Sequence, residues 1–567
     1  MDDLIILGGV MAIFLGAVYI GLTEGKKRRR ALAVSLKENY GKANPRRWKT
    51  EDLERISYYT RNRDAQKADG SAGNRGERTV IDELTWADLG MDELFCQMAY
   101  TGSSVGDDYL YYLLHHPAET GEELTALEEK ISYYQEHAEE RLRLQILFHE
   151  MGRLQNYSLS QYIRFMEEME PGKNLRHHAA NALILLSLVL MIFSTGLGFG
   201  LFILCLCYNF LSYFRYKREM EPCLASFRYI LALLENARGI VGTLNPVWGK
   251  EKERLEEKLA QFKDFRKHSY LLGSGRGAGG QELEIILDYL RMCFHLDIIK
   301  FNSMLSQLQQ RINSLWELYA LLGELDSCIA IGAYRAWLPG WCTPVFTEKR
   351  EILLKEGYHP LVENPVPNSL IMDKNVLLTG SNASGKSTFL KAMGINILLA
   401  QTIHTCMAKA LELPFCHLYT AISLKDNVRL KESYYMAEIR AIKRILDSAA
   451  ESRQIVCMVD EVLRGTNTVE RIAASTQILR QMSQEGILCI AATHDGELTR
   501  ILEKEYQNYH FEEEMIEGDV RFSYQLKPGS ASSSNAIRLL EEMGYQKEIT
   551  EKARAMIEEY RKWGEWR

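Results

Sequence analysis

Hydrophobic residues follow two different periodicities along this chain. Over residues 80–170 and 215–340 they recur every three to four positions with charged residues between them, a spacing that predicts amphipathic helices. Short apolar runs at 376–378, 455–459 and 487–492 are each followed by polar residues, which predicts buried strands of a parallel sheet. The pattern therefore predicts an α/β C-terminal domain, with a mostly parallel sheet flanked by helices, preceded by an all-α region.

The stretch Leu4–Leu22 contains no charged residue over its whole length. As a helix it would be about 28 Å long, enough to cross a bilayer core. Acidic residues precede it and the basic run 26–30 follows it, which is the reverse of a cleaved signal peptide. The positive-inside rule then places the N-terminus outside and the rest of the chain in the cytoplasm. A buried core helix is the alternative for this stretch, and a nucleic-acid patch is the alternative for the basic run.

A second apolar stretch, residues 179–211, would be about 50 Å long as a helix, too long for one straight span. We expect a turn in its glycine-rich middle, at 194–200. Basic residues flank both ends, at Arg176 and at 215–218, which favours a helical hairpin that enters and leaves the membrane from the cytoplasm. A buried helix pair outside the membrane is the alternative. Together with the first stretch, this predicts a multi-pass protein of the cell membrane.

The composition of the chain limits which partners and which cellular compartment are compatible with it. The chain has 567 residues, which allows about three or four domains, and its formal net charge of −7 gives no global signal for a polyanionic partner. Any contact with nucleic acid would therefore depend on a local basic patch. The 11 cysteines include no C-x-x-C pair and no Cys/His cluster with zinc spacing, which is typical of a reducing compartment.

The most informative motif follows the apolar run at 376–378. It matches the phosphate-loop pattern G-x-x-x-x-G-K-S/T, in which two glycines let backbone N–H groups turn toward a phosphate chain and the next helix adds its positive dipole end. Lys386 would neutralise the outer phosphates and Ser387 would bind Mg²⁺. ATP and Mg²⁺ are thus the expected cofactors, and an ordinary glycine-rich turn is the alternative. The expected nucleotide-binding residues are Gly380, Ser381, Asn382, Ala383, Ser384, Gly385, Lys386, Ser387 and Thr388.

Candidate catalytic residues stand at the ends of the two later apolar runs. Asp460 is positioned to hold Mg²⁺ through water, and Glu461 to orient or deprotonate the attacking water. His494 would contact the γ-phosphate or the attacking water, with a capping role as the alternative. Ligands of open α/β sheets bind at the carboxyl ends of strands, so these residues and Lys386 should meet at one edge of the sheet.

Five segments of the chain resemble, in order and spacing, the ATPase domain of the MutS mismatch-repair family. They read GSNASGKSTFLKA, KESYYMAEIRAIKRIL, VDEVLRGTNTVERIAAS, AATHDGELT and GSASSSNAIRLLEEMGYQKEITEKA, and the resemblance covers about residues 350–555. The segment AYTGSSVGDDYLYYLLHHP and the helices near 300–340 resemble, more weakly, the core and lever helices of that family.

This resemblance implies an ABC-class P-loop ATPase that works as a homodimer with composite sites. Ser433 resembles the signature serine that reaches the γ-phosphate bound by the other subunit, and Glu438 matches the acidic position of the same motif. Asn382 resembles the asparagine of the family's phosphate loop. The segment that would lie across the dimer interface consists of Arg464, Gly465 and Thr466.

Two functions remain open from the sequence. Family resemblance favours an ATPase coupled to DNA binding and mismatch-repair-like processing. The acidic balance, and the absence of a recognisable mismatch-reading domain, favour a membrane mechanochemical or signalling ATPase that acts on a membrane or an unknown protein partner. An ABC transporter fits poorly, because no L-S-G-G-Q signature is present.

The expected domain organisation follows from these segments. It comprises an anchor with its basic flank over 1–30, a linker over 31–79, a helical core over 80–178, the hairpin over 179–214, a lever region over 215–345 and the ATPase domain over 346–567.

Overall fold

A computed structural model describes most of the chain. The described residues are 23–68, 80–154, 158–170, 172–263, 265, 281–381, 384–422, 434–449, 454–464, 466–516, 519–530, 537, 540–541 and 543–563. The predicted anchor Leu4–Leu22 lies outside them, and residues 23–39, with the basic run, are helical. The described residues divide into two compact units, the first within the ranges 1–76, 96–113 and 127–337 and the second within the ranges 77–95, 114–126 and 338–567.

The longer helices and strands are numbered here in chain order. The helices are α1 (Thr50–Ala68), α2 (Glu83–Asp88), α3 (Met91–Met98), α4 (Ser104–His115), α5 (Gly121–Glu136), α6 (Ala138–Met151), α7 (Leu159–Glu168), α8 (Leu175–Phe193), α9 (Thr195–Val241), α10 (Gly249–Ala260), α11 (Gln281–Phe294), α12 (Leu296–Gln309), α13 (Ile312–Trp337), α14 (Lys386–Ile403), α15 (Tyr434–Ser448), α16 (Thr468–Gln484), α17 (Gly496–Ile501) and α18 (Lys547–Trp563). The strands are β1 (Val345–Phe346), β2 (Ile352–Gly357), β3 (Asn368–Met372), β4 (Asn375–Thr379), β5 (Ala410–Leu413), β6 (His417–Ala421), β7 (Ile455–Asp460), β8 (Leu488–Ala492), β9 (Tyr506–Ile516) and β10 (Asp519–Pro528).

The first unit is helical, and its longest element is α9. This helix has 47 residues and is therefore about 70 Å long. Its first part forms a hairpin with α8, with the turn at Ser194. Its second part belongs to the core of the unit, where Phe227, Ile230 and Leu234 are buried. One continuous helix thus joins the apolar hairpin to a packed helical core.

The hairpin is apolar on its surface. The helix Leu175–Phe193 and the segment Thr195–Arg218 are each long and apolar enough to cross a membrane, and only 17% of either apolar window is buried. Leucine, isoleucine and phenylalanine side chains on both arms are exposed, which is unusual for a helix pair covered by its own protein. The structure therefore gives the alternative of a buried helix pair little support.

The base of the hairpin is polar and contacts the break between α11 and α12. His295, in the left-handed conformation with φ of 54°, separates these two helices. The side-chain amide of Asn181 donates to the carbonyl of Phe294 at 2.7 Å, and that of Asn209 donates to the carbonyl of Cys293 at 2.8 Å. These two carbonyls have lost their helical hydrogen-bond partners at the break. Each of them instead accepts a hydrogen bond from one asparagine, and each arm of the hairpin provides one of the two asparagines.

Buried carboxylates hold the start of α4 in the first unit. Asp326 accepts hydrogen bonds from the backbone N–H groups of Gly102 and Ser103, at 2.9 and 3.0 Å, and from the Ser103 hydroxyl at 2.6 Å. Asp108 accepts a hydrogen bond from the Tyr319 hydroxyl. Burial raises the pKa of Asp326 to about 6 and that of Asp108 to about 8.

Replacing Asp108 by asparagine should remove part of the pH dependence of stability. In the unfolded chain this carboxyl ionises near its ordinary pKa of 3.8, whereas in the folded protein it keeps its proton up to about pH 8. The protonated group therefore stabilises the fold below about pH 4. That contribution is lost as the pH rises from about 4 to 8. We expect Asp108→Asn to exceed the unchanged protein in free energy of unfolding at pH 8 by about 1 kcal/mol or more, because one pKa unit corresponds to about 1.4 kcal/mol. Urea unfolding at pH 5 and pH 8 measures this, and equal differences at both pH values would contradict it.

The second unit is an α/β unit with two mixed sheets. The larger sheet has the order β10-β9-β4-β8-β7-β6, in which every neighbouring pair is parallel except β9–β10. Helices α15 and α16 pack on it through a core that includes Ile445, Leu479 and Met482. The smaller sheet has the order β1-β5-β2-β3 and combines parallel and antiparallel pairs. The sequence pattern did not predict this smaller sheet.

The second unit also includes parts of the region that the sequence pattern assigned wholly to the helical core at 80–178. Residues 77–95 and 114–126 belong to it instead. The Asp88 carboxylate accepts hydrogen bonds from the Thr420 hydroxyl and from the backbone of Ile422, both at 2.8 Å, and Ala118 donates to the carbonyl of Gln401 at 2.7 Å. The predicted assignment of 80–95 and 114–126 to the helical core therefore differs from the structure, because these segments form hydrogen bonds with residues of the second unit.

Candidate functional site

The carboxyl ends of three neighbouring strands form one edge of the larger sheet. β4, β8 and β7 are adjacent and parallel, with Leu378 opposite Ala492 and Ala492 opposite Asp460. The phosphate-loop segment follows β4, Glu461 follows β7, and His494 follows β8. The sheet register thus brings together segments that lie between about 30 and about 110 residues apart in the chain.

The loop after β4 depends on two glycines. Gly380 has φ of 146°, and a Cβ there would lie 2.8 Å from the Ser384 hydroxyl oxygen and 3.0 Å from the carbonyl oxygen of Phe511. Gly385 has φ of 107° and caps α14, which begins at Lys386. Both backbone conformations favour glycine, so a side chain at either position would disturb the turn. Asn382 and Ala383 lie outside the described residues.

The side chain of Lys386 turns back over this loop. Its ammonium donates to the carbonyls of Gly380 at 2.7 Å and Ser381 at 2.8 Å, and its nitrogen lies 3.5 Å from Nε2 of His494. The side chain is buried, although its charge lies at the edge of the sheet. The loop therefore encloses one cation next to the ends of β4 and β8.

The hydroxyl of Ser387 and the carboxylate of Asp460 are in direct contact. The Ser387 hydroxyl donates to Oδ2 of Asp460 at 2.5 Å. Oδ1 of Asp460 is buried and has no hydrogen-bond partner. Leaving such an oxygen unpaired costs free energy, and hydroxyl and carboxylate oxygens are the ligands that Mg²⁺ prefers. Thr388 follows on the same turn of α14 and is exposed.

Glu461 lies between a histidine and an arginine. Its Oε1 is 2.8 Å from Nε2 of His494, and its Oε2 is 2.5 Å from Nε of Arg464. Burial acts to raise the pKa of Glu461, but the hydrogen bond with His494 and the charges of Arg464 and Lys386 lower it below its ordinary value. Glu461 is therefore an ionised carboxylate, and it is held at a positive φ of 55° that non-glycine residues rarely adopt.

Glu438 and Arg464 show how the predicted interface segment is held. Oε1 of Glu438, on α15, accepts a hydrogen bond from the backbone N–H of Arg464 at 3.1 Å. Burial raises the pKa of Glu438, and its Oε2 has no hydrogen-bond partner. Thr466 is described and contacts Glu470 at 3.0 Å, whereas Ser433 and Gly465 lie outside the described residues.

Tyr524 is a further residue at this edge that sequence reasoning missed. The pairing of β9 and β10 is irregular between Phe522 and Leu526, and Tyr524, inside this irregularity, has φ of 53°. Asn368 fixes it by donating to its carbonyl at 2.9 Å. A Cβ at Gly385 would lie 3.2 Å from Cδ1 of Tyr524, so an exposed aromatic ring borders the phosphate-loop segment. No local sequence pattern marks such a residue, because its position depends on strand pairing.

These residues fit a magnesium–nucleotide complex. The site has a loop that requires glycine at two positions, an enclosed lysine and an unpaired carboxylate oxygen. These features match a phosphate chain and a hard cation. Among the residues that the structure describes, no three His, Cys, Asp or Glu side chains come together as a metal site. Mg²⁺ would therefore be held by Ser387 and Asp460 together with phosphate oxygens, as is usual for this ion at nucleotide sites.

Comparison with known proteins finds similarity in the part of the chain that contains this candidate site. Residues 376–561 match the model of MutS domain V. The chain is similar to a DNA mismatch repair protein MutS of Thermus thermophilus, with 34% identity over 262 residues, which is 45% of this chain and 32% of that protein. It is also similar to the proteins of that name from Aquifex pyrophilus, with 33% identity over 42% of this chain and 29% of that protein, and from Lactobacillus delbrueckii subsp. bulgaricus, with 30% identity over 48% and 33%.

The matches cover the part of the chain that carries the site and leave most of each relative unmatched. The chain spans about a third of the length of these relatives. The matched region includes the loop at 380–387, the end of β7 and the end of β8. On these grounds residues 376–561 carry a MutS domain V, and the resemblance to the MutS family is confirmed for this part of the chain.

Proposed function

We propose that the second unit binds ATP with Mg²⁺ and hydrolyses it at the edge formed by β4, β8 and β7. The observation that carries this proposal is the meeting of Lys386, the Ser387–Asp460 pair and Glu461 at that edge. A cation for the phosphates, oxygen ligands for the metal and an ionised carboxylate for water are the groups that ATP hydrolysis requires.

Each side chain has a separate role in this proposal. Lys386 holds the outer phosphates by charge, within the turn that the two glycines allow. Ser387 and Asp460 hold Mg²⁺, which neutralises phosphate charge when it is bound. Glu461 orients the attacking water or accepts its proton, and His494 fixes the Glu461 carboxylate through their 2.8 Å contact.

The active form in this proposal is an ABC-class homodimer with composite sites. Ser433 would reach the γ-phosphate bound by the other subunit, as the resemblance implies. The buried Glu438 supports the interface role of residues 464–466, because it fixes the backbone of Arg464 while keeping a second oxygen unpaired. Closure of the dimer would then complete each site.

ATP hydrolysis should depend on Mg²⁺ and on Asp460. EDTA is expected to reduce the rate to background, because Lys386 alone cannot neutralise the phosphates. Asp460→Asn should raise the Mg²⁺ concentration for half-maximal activity about 10-fold or more, since it removes a charged ligand group. Asp447→Asn is the matched control, because Asp447 is exposed on α15 and pairs with Lys443. Equal Mg²⁺ dependence in both variants would contradict the role of Asp460.

DNA processing of the mismatch-repair type is the process that we propose for this ATPase. Its support is the MutS domain V over residues 376–561 and the names of the relatives. The net charge of −7 offers no general attraction to DNA, so contact would be local and would involve the phosphate backbone.

A membrane mechanochemical or signalling role is the second candidate, and the hairpin favours it. We propose that α8 and the first part of α9 form a membrane hairpin of a multi-pass cell-membrane protein, with the ATPase on the cytoplasmic side. Basic residues at Arg176 and at 215–218 flank the exposed apolar arms. The 47-residue α9 and the asparagine contacts at the α11–α12 break give a physical path from this hairpin into the helical core.

Measuring the ATPase rate with DNA and with liposomes distinguishes the DNA-processing role from the membrane role. We expect duplex, mismatched or branched DNA to stimulate the detergent-solubilised protein, and stimulation should weaken at higher salt because counterion release drives backbone contact. Stimulation by liposomes without any response to DNA would favour the membrane role.

Replacing Ile192 and Phe193, which are 80% and 82% exposed at the hairpin tip, by aspartate should abolish the liposome response but leave basal turnover unchanged.

A further inference from the structure

Cys342 and Cys406 are paired across an isolated antiparallel bridge in the second unit. Each backbone N–H donates to the carbonyl of the other residue at 2.9 Å. In a hydrogen-bonded antiparallel pair the Cα atoms are about 5.5 Å apart, which lies within the range that a disulfide spans. The backbone therefore already holds the two cysteines at a Cα separation that a disulfide spans, although no disulfide joins them.

The two thiols differ in exposure, and the pKa of Cys342 is lowered. Cys342 is half-buried, whereas Cys406 is fully buried. A hydrogen bond with the Cys406 thiol, together with one from the backbone N–H of Leu411, lowers the pKa of Cys342 despite its partial burial. Cys342 is thus an accessible thiol of lowered pKa, and the buried Cys406 lies next to it as the second thiol.

We propose that Cys342 and Cys406 form a reversible intrachain disulfide when the protein meets a peroxide. The Cys342 thiolate attacks hydrogen peroxide and becomes a sulfenic acid, releasing hydroxide. The Cys406 thiol then attacks that sulfur, the S–S bond forms, and the oxygen leaves as water. The two cysteines lose two electrons in total and one peroxide molecule accepts both. A dithiol reductant reverses the bond.

The disulfide would lie next to the end of α14, the helix that follows the phosphate-loop segment. Cys406 follows α14, whose first residue is Lys386. The next residue, Met407, donates from its backbone to the side-chain oxygen of Asn396 on α14 at 2.7 Å. A disulfide would therefore tie residues next to the end of α14 covalently to the segment around Cys342. This inference does not depend on the proposed ATPase activity.

A second cysteine pair in the same unit provides an internal control. Cys457 on β7 and Cys489 on β8 are register neighbours in the larger sheet. Both are fully buried, and the contact with Cys489 together with burial raises the pKa of Cys457 well above its ordinary value. Proximity is similar in the two pairs, but only the Cys342 pair has an accessible thiol of lowered pKa. Cys457 and Cys489 should therefore stay reduced.

Peptide mapping of the full-length protein tests the proposal. The protein is treated with hydrogen peroxide, blocked with N-ethylmaleimide, digested with trypsin without reduction and analysed by mass spectrometry. We expect peptides 336–349 and 392–409 to be joined, the joined species to increase with peroxide, and dithiothreitol to separate them. Peptides 454–464 and 481–500 should remain alkylated and separate.

Variants decide whether the link is specific. Cys342→Ser and Cys406→Ser should each abolish the joined peptide, and Cys457→Ser should leave it unchanged. Joining of 454–464 to 481–500 at a similar yield would overturn the proposal, because it would show that proximity alone determines the reaction. Oxidation of Cys342 only to sulfinic or sulfonic acid, or a link found only in covalent dimers, would also overturn it.

Discussion

Lys386→Ala is expected to abolish ATP hydrolysis and to weaken ATP binding strongly. The ammonium is the cation that the phosphate-loop segment encloses, held by the carbonyls of Gly380 and Ser381. Without it, the phosphates would lose one of the two cations, this ammonium and Mg²⁺, that neutralise them in the proposed site. Removing one preorganised electrostatic group of this kind typically costs about 100-fold or more in rate. Turnover under saturating ATP and binding of a fluorescent ATP analogue measure the two effects.

Lys391→Ala is the matched control for this substitution. Lys391 is on the same helix, α14, one turn further from the loop, and it has no assigned role in the site. Its replacement changes net charge by the same amount, so it accounts for general electrostatic effects. Unchanged turnover in Lys386→Ala would refute the assignment of the phosphate loop. Equal loss in both variants would attribute the effect to charge or folding of α14 rather than to nucleotide contact.

Glu461→Gln is expected to separate ATP binding from hydrolysis. Glutamine has nearly the same shape as glutamate, but it cannot accept a proton from water. The hydrolysis step should slow by about 100-fold to 10,000-fold, the usual contribution of a general base, while ATP remains bound. In the composite-site proposal, this variant should accumulate as an ATP-bound closed dimer. Single-turnover hydrolysis and the mass of the protein in solution with ATP measure these results.

Glu503→Gln serves as the comparison, because Glu503 is an exposed acid in the loop after α17 and lies outside the candidate site. It should hydrolyse ATP at the unchanged rate.

The lowered pKa of Glu461 adds a further expectation, namely that the unchanged enzyme keeps its ionised carboxylate at mildly acidic pH. Normal product release in Glu461→Gln would remove Glu461 as the group that activates water and would direct attention to His494.

The site residues were predictable because each belongs to a short motif. Gly380, Gly385, Lys386 and Ser387 lie within eight consecutive positions, and Asp460 ends a run of apolar residues that reads as a buried strand. The resemblance to the MutS family, which the comparisons confirm, rests on the same local segments. Their convergence at one edge followed from a general rule for parallel sheets rather than from any contact visible in the sequence.

The sequence by itself determined the helical pattern over 80–170 and 215–340, the strands β4, β7 and β8, the phosphate-loop motif, the candidate acids and the resemblance to the MutS family. Only the tertiary structure decided which unit residues 77–95 and 114–126 join, that β1, β5, β2 and β3 form a second sheet, and that Tyr524 borders the phosphate-loop segment. It also decided which cysteines become neighbours. The reason is physical: periodicity and turn residues report on nearest neighbours along the chain, whereas strand pairing joins residues that are far apart and leaves no periodic signal at either position.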